Sequence, residues 1–337
     1  MSFQALDLDD FVVSVDSVTA GLWTGETASL FTFFTSSTQA ASSAGNYYLN
    51  VYNTAATESI QFAVTYGNAT GLGTELYDSS VSGYSYSGTI WGQYQILVLG
   101  DENANFSFGG ITGSDFWALS FERNRYKEAL LPGSLTLTLS GSAYLTLTDN
   151  SQVVASQTFT DAGRVFQIVS GSAGTVFSGS GTDGINGFSP SSGSYGWLLP
   201  DIGTILLNPL AISQSINLVP TRTANTDGQN PRKIFNAISG SGFNSRPFTL
   251  NSQENISSDF IFVRPRSSEY NYSENPSFIS GSTGEVLYSS FVDNPQVYIT
   301  TIGLYNDTNE LLAVAKLSRP LLKDFTKEAL IRVKLDF

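Results

Sequence analysis

The acid–base chemistry open to this sequence rests on carboxylates. The 337-residue chain has no histidine and no cysteine. A Ser-His-Asp triad, a Cys-His dyad and any His- or Cys-held metal are therefore excluded. The side chain that ordinarily titrates near pH 7 is missing. Asp7, Asp9 and Asp10 cluster near the start, and Asp101-Glu102 follows the run QILVLG. Two such groups across a cleft could hydrolyse a glycoside, and several together could hold Ca²⁺. No EF-hand spacing occurs, however, and Gly181-Thr182-Asp183-Gly184 is only a fragment of a calcium-binding nonapeptide. Asp at strand ends ordinarily serves turns. The glycine-rich GSAGTVFSGSG lacks the Gly-Lys-Ser/Thr ending and the lysine of a phosphate loop. No catalytic residue, metal or cofactor is expected.

Two other residue classes could carry recognition. The chain has 23 Phe, 16 Tyr and 4 Trp. Trp91 and Tyr94 in YSYSGTIWGQYQ, and Tyr195 and Trp197 in GSYGWLLP, could stack on glycans; core packing is the plainer role for such rings. In FERNRYKEALLPG, Arg123, Arg125 and Lys127 alternate and would share one face of a strand. They would form either an ion-pair rim with Glu122 and Glu128 or a docking stripe for an acidic partner. Arg264 and Arg266 in VRPRSSEYNYSENP, Tyr305, Arg332 and Lys334 complete the candidate interface.

The elements that must position these residues read as strands. Short runs of Phe, Tyr, Val, Ile, Thr and Leu end in Gly, Asn, Asp or Ser. Expected strands are 11–15, 30–35, 47–52, 60–66, 95–99, 116–121, 135–139, 144–148, 153–159, 165–169, 204–207, 260–264, 297–304, 311–317 and 330–335. In SLTLTLSGSAYLTLTD, Leu135, Leu137 and Leu139 alternate with threonines, and Leu145 and Leu147 repeat the pattern after Gly141-Ser142. That is a hairpin of a half-buried antiparallel sheet. Short helices are expected at 232–238, after Pro231, and at 324–328. The fold class is mainly β, with two or three antiparallel β-sandwich or barrel-like modules and long Gly/Ser-rich loops. The expected division is an N-terminal β domain (1–165), a loop-rich connecting region with a short helix (166–245) and a C-terminal β domain with a terminal hairpin (246–337). Segments 170–194 and 215–231 read as long loops.

Hydrophobic residues make up 41% of the chain and charged residues only 13%, so a real core is available and the polar surface is mostly Ser, Thr, Asn, Gln and Gly. The net charge of −13 argues against nucleic-acid binding through a broad basic patch. The acidic start MSFQALDLDDFVV lacks the pattern of a signal peptide, and no apolar run is long enough for a membrane-spanning helix.

The C-terminal block VYITTIGLYNDTNELLAVAKLSRPLLKDFTKEALIRVKLDF contains a strong hairpin signal. Apolar residues on both faces of 297–304 predict a strand covered on both sides. Residues 311–317 should pair back through Asn306-Asp307-Thr308-Asn309. In the last strand, Leu330, Arg332, Lys334 and Asp336 share one face; Ile331, Val333, Leu335 and Phe337 share the other, which should enter the core.

This block, together with WGQYQILVLGDENANFSF and FERNRYKEALLPGSLTLTLSG, resembles virion structural proteins of T4-like tailed phages of the cyanobacterial myovirus type. Gly303–Leu317 is also similar to hairpins of tail-fibre attachment domains that dock on baseplate proteins. The three blocks cover roughly a third of the chain and contain no catalytic motif. The resemblance implies a non-enzymatic baseplate or tail subunit present in several symmetry-related copies beside other virion proteins. It would be assembled in the host cytoplasm and located in the virion, without nucleic-acid or membrane partners. A neck or head position, and a glycan-binding host-recognition module, are the alternatives.

Overall fold

The computed structural model describes residues 4–35, 47–53, 59–76, 84–177, 191–223, 229–242, 246–272 and 275–336. The protein is mainly β, 44% strand against 17% helix, and its antiparallel sheets include an eight-stranded curled half-barrel. The principal strands are β1 (Phe11–Gly21), β2 (Tyr48–Tyr52), β3 (Ile60–Asn68), β4 (Asp115–Ser120), β5 (Leu137–Ser140), β6 (Tyr144–Asp149) and β7 (Gly163–Ser172). They continue with β8 (Gly196–Leu199), β9 (Thr204–Leu207), β10 (Asn251–Val263), β11 (Val297–Tyr305), β12 (Leu311–Lys323) and β13 (Ile331–Asp336). The helices are α1 (Tyr86–Tyr94), α2 (Pro209–Ile216) and α3 (Gln229–Gly242). The chain forms a larger unit, Ser17–Glu254, and a smaller one, Met1–Asp16 with Asn255–Phe337. Boundaries expected near residues 165 and 245 both fall inside the larger unit, the first of them within β7.

In the larger unit the half-barrel runs β2-β3-β4-β9-β8-β7-β6-β5, with every neighbouring pair antiparallel. The expected hairpin is present in its expected register, with Leu145 opposite Leu139 and Leu147 opposite Leu137. Strands buried on both faces lose their alternation, as β4 illustrates. Trp117 and Leu119 enter one cluster with Phe62, Val64, Leu198 and Ile205, while Phe116 and Ala118 enter another with Trp91, Phe106, Phe108 and Trp197. Helices α2 and α3 contribute Ile212, Ile216, Ile234 and Ile238 to the first cluster; α1 contributes Ile90 and Trp91 to the second. Helix α3 packs against β2, β3 and β4 at one end of the strand order and against β5 at the other. It therefore closes the open side of the half-barrel. Two strand side chains hold its backbone: Trp117 Nε1 donates to Asn230 O at 3.0 Å and Ser140 Oγ to Ala237 O at 2.9 Å. Trp23, Phe62, Phe121 and Phe248 add a nest of rings with centroids 4.9–6.1 Å apart.

Several elements differ from expectation. Residues 95–99 are not a strand but a π-helical extension of α1. Ser85 Oγ caps α1 by accepting from Gly88 N, and the buried Ile90, Trp91, Gln95 and Val98 recur at helical spacing. Gly100 ends the turn at φ 68°, where a Cβ would press on the Asp161 carboxylate, so glycine is the favoured residue there. Most of 153–159 is a turn, because Asn150 O accepts from both Val153 N and Val154 N; only Thr158–Thr160 is strand. The strand expected at 30–35 shortens to Ser29–Leu30, which pairs with Phe248–Thr249. The helix expected at 232–238 is the longer α3, and α2 lies where a loop was expected to begin. No helix forms at 324–328. Of the Gly/Ser-rich loop, residues 178–190 lie outside the described set, as does Phe337.

In the smaller unit β10 pairs antiparallel with β13, from Ser258 opposite Asp336 to Val263 opposite Ile331, and β1 flanks β10 on the other side. The β11–β12 hairpin forms a separate two-stranded sheet. Ile261, Ile302, Ile331 and Val333 are the buried centre between them, with Leu304, Ala315 and Leu335 packed around it. The last strand behaves as its alternation predicts: Ile331 and Val333 are buried, and Arg332 and Lys334 are exposed.

Candidate functional site

The smaller unit leaves its apolar side chains outside. Among the described residues it holds five of the buried apolar ones (Ile261, Ile302, Ala329, Ile331 and Val333) but 19 of the 33 exposed large apolar ones, in fewer than a third of the chain. For its length, the described part of the larger unit exposes far fewer large apolar side chains.

Two elements carry most of it. The first is the hairpin. Ile302, Leu304, Ala313 and Ala315 lie on its packed face, whereas Gly303, Tyr305, Val314 and Lys316 lie on an exposed one. The expectation that this strand is covered on both sides is thus not met among the described residues, where Tyr305, Val314 and Lys316 stay exposed on the outer face. Leu312 is 68% exposed, Tyr298 63% and Val314 58%. A tight turn fixes the tip: Asn306 Oδ1 accepts from Thr308 N, Thr308 Oγ1 and Glu310 N, and Asn306 Nδ2 donates to Glu310 Oε2 at 2.8 Å. Lower down, Ile299 faces Leu321 while Thr301 faces Lys316, so 317–320 bulges out, with Pro320 where no ladder donor is needed. At the base, buried Lys323 donates to Ser267 O at 3.1 Å and Asn271 Oδ1 at 2.8 Å. Burial pushes its ammonium below lysine's ordinary range.

The second element is β1. Phe11, Val12, Val13 and Val15 are all exposed, so both faces of this strand meet solvent. The sequence marked 11–15 as a strand but not as a site. Nothing in a run such as FVVSV says whether another element covers it.

The candidate basic residues separate into two groups. In the larger unit Arg123, Arg125 and Lys127 do not share a strand face, because Arg123–Tyr126 is a helical turn. Arg125 is drawn inward to donate to Ile60 O, Leu22 O and Ser59 Oγ, and burial lowers its affinity for the proton. Arg123 lies over the Tyr126 ring and reaches Asp201 O; Lys127 pairs with Glu254 at 3.0 Å. These residues tie local structure together. In the smaller unit Arg264, Arg266, Arg332, Lys334 and Tyr305 are all exposed. Arg332 and Lys334 both lie over Phe260, 5.3 and 5.8 Å from its centroid, and Lys334 pairs with Asp336 at 2.9 Å. Ser258 Oγ, then Lys334, hold the Asp336 carboxyl below the usual carboxylate range.

The candidate glycan platforms are core residues. Trp91 is 5% exposed and Trp197 6%, with their rings packed on Phe106, Phe108 and Phe116. Their faces are occupied, so no sugar can stack there without opening the core. Tyr94 and Tyr195 are partly buried, with hydroxyls hydrogen-bonded to Ser120 and Ser215.

The carboxylates serve the backbone or each other's neighbours. Asp101 Oδ1 accepts from Asn103 N, and Asp10 Oδ2 accepts from Asp7 N. Among the ion pairs of the described residues the most buried partner is Asp115, which accepts from Tyr66 OH and Arg222 Nε, both at 2.7 Å. Burial and then the Asp115 charge push the Tyr66 phenol well above its ordinary range. The phenol and the guanidinium engage both Asp115 oxygens, which ties three segments of the larger unit together. Among the described residues no group of three or more Asp or Glu could hold a metal ion, and no helix is long and apolar enough to cross a membrane.

Compared with protein-family models, curated proteins and solved structures, the chain matches none.

Proposed function

We propose that this chain is a non-enzymatic structural subunit of a tailed-phage virion, placed in the baseplate or tail and working through protein–protein interfaces. The observation that carries this is the smaller unit's apolar exterior: among the described residues, 19 large apolar side chains lie in solvent against four buried. A stable contact buries on the order of 1,200 Å² or more, and it draws on aromatic and aliphatic residues held by rigid elements. The hairpin supplies both, since its turn is locked by Asn306 and its base by Lys323. The resemblance of Gly303–Leu317 to docking hairpins of tail-fibre attachment domains points to the same element. The glycan-binding alternative loses its best platforms, because Trp91 and Trp197 are buried.

The test is peptide mass spectrometry and cryo-EM of salt-washed particles of the phage encoding the chain. The chain should occur at fixed stoichiometry, with Tyr298, Leu312 and Val314 covered by a neighbour. Its absence from washed particles, or sugar release by the isolated chain that a single Asp or Glu substitution abolishes, would overturn the proposal.

A further inference from the structure

The sheet of the smaller unit is unfinished at both edges. In the order β1-β10-β13, the outer edges of β1 and β13 have no partner strand among the described residues. Solitary proteins guard long edges with lysine, proline or a bulge. Residues 11–16 of β1 read FVVSVD and carry neither lysine nor proline, so β1 is the unguarded edge; β13 carries Lys334.

We infer that these two edges are complementary halves of one joint: β1 of one molecule adds to β13 of the next, extending the sheet head to tail between copies of this chain. The inference rests on the structural-subunit reading above and names the partner as a second copy.

Side-chain parity supports the match. Ile331 and Val333 face the core and Arg332 and Lys334 face out. On β1, Phe11, Val13 and Val15 share one face, with Val12, Ser14 and Asp16 on the other. Placing the odd residues of β1 beside the odd residues of β13 continues the apolar face across the joint. The same parity sets exposed Asp16 on the face of Arg332 and Lys334. Charge selects this pairing over the symmetric ones. In a two-fold, antiparallel β1 pair centred on Val13, Asp10 of one copy would face Asp16 of the other; in a β13 pair centred on Val333, Arg332 would face Lys334. Arg332 sits over Phe260 and has no ion pair among the described residues, which leaves it available to a carboxylate. A head-to-tail contact of this kind closes into a ring when its rotation allows.

Sedimentation velocity of the full chain across a concentration series tests the joint. The expected result is reversible self-association. Val13→Lys and Val15→Lys should abolish it while far-UV circular dichroism is unchanged. Asp16→Arg and Arg332→Glu should each weaken it by roughly tenfold or more, and the double variant should recover it, because the two charges have exchanged places. Two outcomes overturn the inference: a chain monomeric at every concentration, or association that Arg332→Glu leaves untouched while Val13→Lys removes it, which would indicate β1 pairing with β1. If Val13→Lys fails to fold, recovery in the double variant still decides. A monomeric chain that is nonetheless found in washed particles would end this inference and leave the virion reading standing.

Discussion

The two units of this protein solve the same problem in opposite ways. The larger one buries large apolar side chains on both faces of its half-barrel and closes the remaining side with α3. The smaller one gathers a centre of four apolar residues and leaves Phe11, Val15, Tyr298, Leu312 and Val314 in solvent. Burying a large apolar side chain is worth about 1.5–3 kcal/mol. Ordering each residue costs about 1–2 kcal/mol. A unit with so few buried side chains gains little from its own packing, so its exposed residues are the natural source of further stabilisation once a partner covers them. The difference teaches where the proposed interface belongs: the larger unit has the packing of a finished scaffold, and the smaller one keeps its apolar residues at the surface.

The strongest test of that contrast is to damage the scaffold. Trp117 is fully buried, contacts Tyr66 at 6.2 Å between centroids and holds α3 through Asn230 O. Trp117→Ala should cost about 3–5 kcal/mol, a large part of a typical domain's stability. Chemical denaturation should show it as a lower midpoint with an unchanged slope. A loss under about 1 kcal/mol would mean that α3 does not close the half-barrel in the way its contacts suggest.

Next in size is the buried ion pair of the same unit. Asp115→Ala leaves the Tyr66 hydroxyl and the Arg222 guanidinium without their acceptor. Arg222 is partly exposed and water can take over some of its bonding, so the expected cost is about 2–3 kcal/mol rather than the full penalty of an orphaned buried charge. Arg222→Met keeps the Tyr66 hydrogen bond but leaves the buried Asp115 carboxylate without its cation, so it should cost at least as much. A clearly smaller cost would mean that Tyr66 alone satisfies Asp115.

The smaller unit should respond quite differently. Leu312→Ser and Val314→Ser remove apolar side chains that touch solvent, and each should change the stability of the isolated chain by no more than about 0.5 kcal/mol. Incorporation into particles, measured by mass spectrometry, should fall. A loss of stability on the scale of a core substitution would show that the hairpin's outer face is already covered in the free chain, and the contrast between the units would collapse.

Strand class, the 135–148 hairpin and the facing of Ile331, Val333, Arg332 and Lys334 were legible in the sequence because alternation reports directly on a sheet with one wet face. Helix α1 and its extension were not. QILVL is as good a strand as a helix by composition, and only the cap at Ser85 and the spacing of Ile90, Trp91 and Val98 decide it. The Arg123 stretch misled for a related reason: alternation over five residues also fits a turn, and the turn is what forms. For the candidate surface, the hairpin residues were visible, but their exposure was not. Apolar residues on both faces of β11 imply cover on both sides, and a strand made for a partner has the same pattern as one made for its own core. Trp91 and Trp197 failed as glycan platforms by the converse ambiguity, since stacking rings and core rings look alike in sequence.

The smallest effect comes from acid. Asp336 accepts from Ser258 Oγ at 2.7 Å and pairs with Lys334, so its folded-state pKa lies below the unfolded value. The folded chain therefore binds fewer protons than the unfolded chain in that interval. The contribution of Asp336 is fully present above the usual carboxylate range and is lost as pH falls through its depressed folded value. Asp324 follows the same sign, held down by the Thr326 hydroxyl and amide and by Lys327. Asp336 is exposed at the end of β13, where water screens it, so its part of the shift in the denaturation midpoint should be well below that of Asp115→Ala. The informative comparison is Asp336→Asn against the parent chain on either side of the carboxylate range. The variant should be the less stable above it, and the two should converge below it. A variant whose deficit persists in acid would mean that Asp336 acts through packing at the end of β13. The edge strand would then depend on its own unit for order, and the contrast between finished scaffold and open surface would weaken at that point.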